Sequence, residues 1–97
     1  MIVRIMGEGQ VRIPDEAFPE LNRLDDELGA AIESGDDDRF RAALVRLLTE
    51  VRTVGTPVRD DELVDSDLVL PYAEAHVDEV SALLTDEGLI PLDPPAR

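Results

Sequence analysis

The first thirteen residues carry a strand-like pattern. Ile2-Val3-Arg4-Ile5-Met6 is rich in β-branched residues, Gly7-Glu8-Gly9 supplies turn chemistry, and Gln10-Val11-Arg12-Ile13 alternates polar and apolar. This predicts a β-hairpin over residues 1–13 with Gly7-Glu8-Gly9 as its connection. Val3, Ile5, Val11 and Ile13 share one face, while Arg4, Gln10 and Arg12 look outward. Pro14 has no N–H to give a ladder and closes the second strand. Two strands alone are marginal in water, so the hairpin must lie on helices or gain a third strand.

The period then becomes helical. Over residues 15–34, Leu21, Leu24, Leu28, Ala31 and Ile32 form one stripe. Pro19 disfavours a helical Phe18, so the regular helix is expected to begin near Pro19, in its first turn. Gly35 is a natural left-handed cap. Over residues 36–54, Asp36, Asp37 and Asp38 stand where carboxylates cap free N–H groups and oppose the positive end of the helix dipole. Phe40, Ala43, Leu44, Leu47, Leu48 and Val51 follow as an unbroken helical face. Gly55 and Pro57 end it. So short a connection predicts an antiparallel helix pair whose stripes meet and also take the hairpin's apolar side.

The last third is less regular. Residues 56–62 read as a polar connector, and Leu68-Val69-Leu70 as a third strand or extended segment stopped by Pro71. A short helix is predicted from Val77 to about Glu87 with Gly88 as terminator. Leu89-Ile90-Pro91-Leu92 reads as an edge segment, and residues 93–97 as a frayed tail. The expected fold is α+β, one domain over residues 1–92.

Composition narrows the function. Ninety-seven residues suit one core, and 43% hydrophobic with 33% charged residues suits a globular domain. Only Phe18, Phe40 and Tyr72 are aromatic, so the core is aliphatic. Asp plus Glu number 23 against 9 Lys plus Arg, a net charge of −14. Such a surface argues against nucleic-acid binding and against adsorption to an anionic membrane. No apolar run reaches the roughly 20 residues of a membrane span. The first six residues lack the pattern of a secretion signal, so the expected location is the cytoplasm. All nine cations are Arg, which fits a GC-rich codon bias or adaptation to high salt.

No chemistry-bearing constellation stands out. Without cysteine and with the single histidine His76, thiolate and multi-histidine metal centres are excluded, and no cofactor is called for. Gly7-Glu8-Gly9 lacks the Lys-Ser/Thr of a phosphate loop. Asp25-Asp26-Glu27 and Asp36-Asp37-Asp38 read as solvated or capping carboxylates, without the spacing of a calcium loop. Asp60-Asp61-Glu62 and Asp65-Ser66-Asp67 sit in a connector, where metal binding is an alternative reading. Ser66 and Ser81 lie in no nucleophile elbow, and His76 reads as a helix-entry residue. An enzyme is not expected. Partner contact is expected from Ile2, Met6 and Tyr72 and from the segments 68–72 and 89–92, with Leu68, Leu70, Leu89 and Ile90 as their apolar anchors.

Three stretches carry a resemblance. Met-Ile-Val-Arg-Ile-Met-Gly-Glu-Gly-Gln (1–10), Ser-Asp-Leu-Val-Leu-Pro (66–71) and Asp-Glu-Gly-Leu-Ile-Pro (86–91) together resemble the phage-shock-protein-A-associated family, PspAA. The likeness runs from Met1 to about Leu92. It implies a small acidic accessory protein of the envelope stress response. Its implied partner is a phage-shock-protein-A-like coiled-coil, membrane-remodelling protein whose basic faces would complement acidic helices. The alternative is a metal- or ligand-sensing domain using a carboxylate cluster. The edge of a short sheet also offers pairing to a second copy, making a homo-oligomer an open arrangement.

A charge of −14 on one small domain repels itself, and salt screens that repulsion. The melting temperature is therefore expected to rise between low and moderate NaCl. A gain of about 1 kcal/mol corresponds to about 4–8 °C for a domain of this size. A flat or falling midpoint contradicts this.

Overall fold

In the computed structural model, residues 1–59, 61–62, 64–83 and 89–90 are described. Strand β1 (Ile2–Ile5) and strand β2 (Gly9–Arg12) form the hairpin. A 3-10 turn (Asp15–Ala17) leads into α1 (Phe18–Ser34), which is followed by α2 (Asp37–Val54). Strand β3 (Thr56–Pro57), strand β4 (Leu68–Leu70) and α3 (Val77–Leu83) complete the order. The strands form one sheet in the order β3-β2-β1-β4.

The hairpin register sets Val3 opposite Val11 and Ile5 opposite Gly9. Gly9 is thus the first residue of β2, and the connection is 6–8, one position earlier than the glycine spacing suggests. Strand β4 joins β1 in parallel, with Val3 opposite Leu68 and Ile5 opposite Leu70. The long path through both helices makes this parallel pairing possible, because parallel neighbours need a crossover. Thr56–Pro57, expected as connector, instead extends the sheet beyond β2. Proline is tolerated there because β3 is a sheet edge, where a missing donor leaves no ladder partner empty.

Helix α1 also differs from expectation at its start. Phe18 is helical (φ −59°, ψ −43°) despite the proline that follows. Its ring is buried, and burial outweighs the local preference against a helical residue before Pro. Pro19 lies in the first turn, where its absent N–H would have had no intrahelical partner. Gly35 ends α1 with φ 73°, a conformation costly for other residues. The Asp36 side chain then accepts the Arg39 N–H at 3.1 Å and caps α2.

The core lies between the helix pair and the inner sheet face. All six predicted residues of α2, from Phe40 to Val51, are buried, and Leu21, Leu24, Leu28 and Ala31 of α1 face them. Val3, Ile5, Ile13 and Leu70 close the sheet side, and Val80 of α3 joins the same cluster. The predicted C-terminal half of the last helix and the tail after Ile90 lie outside the described residues.

Two glycines have opposite packing. A Cβ on Gly55 would come within 2.7 Å of the Val51 carbonyl oxygen and 2.9 Å of Val11 Cβ. Gly55→Ala is expected to cost about 1–3 kcal/mol by forcing α2 away from β2. A Cβ on Gly29 would meet nothing within 4 Å. Gly29→Ala should stabilise by about 0.5–1 kcal/mol through helix propensity. Thermal unfolding of the two variants checks both signs.

Candidate interaction surface and a buried carboxylate

Four large hydrophobic residues among those described are exposed: Met6 (39%), Val45 (42%), Val69 (43%) and Tyr72 (46%). Three of them gather where β1 and β4 end. Arg4 stands opposite Val69, and the Met6 N–H donates to the Leu70 carbonyl at 3.0 Å, continuing the ladder. Leu70 points into the core, so alternation sends Val69 to the outer face with Arg4. The Tyr72 ring lies on Gly7, where a Cβ would come within 2.7 Å of Cε1. Gly7 has φ 83° and no side chain, and both properties are needed for this contact.

Helix α2 holds this corner from beneath. The Arg41 guanidinium donates to the Ala73 carbonyl and, at 2.9 Å, to the Ala75 carbonyl. It also lies 5.4 Å from the centre of the Phe40 ring. Arg52 donates through both Nε and Nη2 to the Glu8 carboxylate, tying the hairpin turn to the helix. The Arg52 hydrogen bond holds the Glu8 carboxyl below its usual value. Glu8 thus serves the turn, as the sequence pattern suggests for Gly7-Glu8-Gly9.

The other predicted contact residues are covered. Leu70 (0%), Leu89 (4%), Ile90 (0%) and Ile2 (6%) are buried, and Leu68 is half-buried. Ile2 points to the outer sheet face but lies under the chain that precedes β4. Its N–H donates to Asp67 Oδ2 at 2.8 Å, and the Asp67 N–H donates to the Ile2 carbonyl at 2.7 Å. Gln10 Nε2 donates to the Val64 carbonyl at 3.0 Å and to Ser66 Oγ at 2.8 Å, fastening the same stretch. Alternation along β4 is legible in sequence; which parity faces inward is set by its pairing with β1.

Asp25 departs furthest from its predicted role. It is 4% exposed rather than solvated. Its Oδ1 accepts the Leu89 N–H at 3.0 Å and its Oδ2 accepts the Ile90 N–H at 2.8 Å. Burial raises its pKa, the two N–H groups work against that, and the Asp26 charge adds to it. A signal was present: positions 21, 25, 28 and 32 repeat at 4-3-4 spacing, so Asp25 falls inside the apolar stripe.

The remaining carboxylates among the described residues form no three-membered metal-holding group, and Asp60 of the predicted connector cluster lies outside the described residues. Glu27 pairs with Arg23 at 2.7 Å and with Arg46 across the helix pair at 3.1 Å. Asp37 and Asp38 are exposed in the first turn of α2. His76 sits at the entry of α3, where its Nδ1 accepts the Asp78 N–H at 3.4 Å. No helix among the described residues is long and apolar enough to cross a membrane.

The family described as PspAA, PspA-associated protein, matches residues 1–92. The chain belongs to the PspAA family. The match covers every described element, from the hairpin through α3. No curated protein and no solved structure matches it.

Asp25 and Glu8 give opposite pH signatures. The folded Asp25 carboxyl binds its proton more tightly than the unfolded one, so its contribution favours folding at low pH and declines as pH rises through the raised value. Glu8 does the reverse, stabilising above the unfolded value and losing that contribution as pH falls through its lowered one. Compared with Asp25→Asn, the wild-type chain is expected to gain stability on acidification from neutral pH. Denaturant unfolding of both proteins across that range is the check, and parallel curves contradict the assignment.

Proposed function

We propose that this PspAA protein is an accessory protein of an envelope stress system that binds a phage-shock-protein-A-like coiled-coil partner and tunes its assembly. The family match over residues 1–92 carries the reading, because the family is described by association with PspA. Met6, Val69 and Tyr72 form the contact surface in this proposal. A neighbouring cluster of exposed apolar side chains suits a macromolecular contact better than a small-molecule site. The net charge of −14 favours a partner with basic faces and disfavours a second copy on the β4 edge. The protein acts in the cytoplasm in this reading and reaches the inner membrane face through its partner.

Mixing the purified pair should give co-elution and a change in the partner's polymers, both weakening as salt rises. Val69→Asp and Tyr72→Ser are each expected to weaken binding about tenfold or more while leaving the fold intact. Absence of any complex refutes the partner. Full binding by both variants moves the contact elsewhere on the molecule.

A further inference from the structure

Leu89 and Ile90 are buried in the core, and one side chain meets their backbone there. Asp25, mid-way along α1, directs its two carboxylate oxygens at two successive backbone N–H groups, at 3.0 and 2.8 Å. Leu89 and Ile90 are buried in the cluster that contains Leu21, Leu24 and Leu28 of α1.

The dependence is mutual. A buried carboxylate without a cation is costly unless N–H groups are aimed at it. Among the described residues Asp25 has no ion pair, and these two N–H groups are the hydrogen bonds that meet it there. Conversely, two adjacent N–H groups inside an apolar cluster need an acceptor, and each would carry a desolvation cost without one. Three other segments have fastenings of their own: β4 to β1 by the ladder, the hairpin turn to α2 by Arg52, and residues 73–75 to α2 by Arg41.

We propose that Asp25 is a latch that keeps Leu89 and Ile90 docked in the core, and that this latch opens without unfolding the sheet or the helix pair. The opened state exposes two aliphatic side chains and the apolar seat they leave on α1. The latch stands independently of the accessory-protein reading.

Amide hydrogen exchange on the full chain tests it. In Asp25→Ala, the Leu89 and Ile90 amides should lose protection by about tenfold more than those of Val3, Ile5, Leu44 and Leu47. Nile red fluorescence should rise while far-ultraviolet circular dichroism stays constant. Asp25→Asn keeps one acceptor oxygen and should give an intermediate loss, which preserves the test if the alanine variant fails to fold. Equal loss at all six amides would mean that Asp25 supports the whole fold and not a latch. Unchanged protection at Leu89 and Ile90 would mean that their side chains alone hold the segment. Either result overturns the proposal.

Discussion

Everything in this molecule depends on closing an aliphatic core with few residues. Small domains bury a smaller fraction of their surface, and this one has two phenylalanines to place in its interior. Leucine, isoleucine and valine from α1, α2, the sheet side and residues 89–90 must therefore meet in one cluster. No element is self-sufficient. The hairpin has one apolar face, each helix has one stripe, and β4 contributes a single fully buried side chain. At about 25 cal/mol per Å² of apolar surface removed from water, shared burial supplies the main driving force.

Helix α2 is the element to which the others are tied. Its buried face takes the stripe of α1 and the sheet, and its arginines reach sideways. Arg41 holds the carbonyls after Tyr72, Arg52 holds the hairpin turn, and Arg46 reaches Glu27 of α1. In a chain with 23 carboxylates and nine arginines, cations are the scarce partner. Three of them bridge α2 to other segments, Arg46 and Arg52 by pairing with carboxylates and Arg41 by holding backbone carbonyls. The exposed pairs contribute little stability singly, while Arg52 at the hairpin turn and Arg41 at residues 73–75 tie α2 to the segments beside Met6 and Tyr72.

That corner and Asp25 are two places among the described residues where the chain departs from apolar-inside, polar-outside order, and exposed Val45 on α2 is a third. Exposed apolar side chains at the first and a buried carboxylate at the second both cost stability if nothing uses them. In the proposed function the exposed corner is the contact for a partner protein. The buried carboxylate has a structural use, since it satisfies two backbone donors that Leu89 and Ile90 bring into the core.

The α+β class, the hairpin, the helix pair, the Asp36 cap, the Gly35 terminator and the strand at residues 68–70 were all legible in the order of residues. Each depends on local periodicity or on backbone chemistry within a few positions. The segments carrying the PspAA resemblance were legible for the same reason, as contiguous stretches. Tertiary structure alone decided that β4 pairs in parallel with β1, that Thr56–Pro57 becomes an edge strand, and that Phe18 stays helical before Pro19. It also decided which side of β4 faces water, leaving Val69 exposed while Leu70, Ile2, Leu89 and Ile90 are covered. Asp25 lies between the two cases: its position in the stripe is periodic and local, but its acceptors' donors come from more than sixty residues away. Local pattern determines which face of a segment is apolar; only the assembled fold determines which distant groups arrive to cover it.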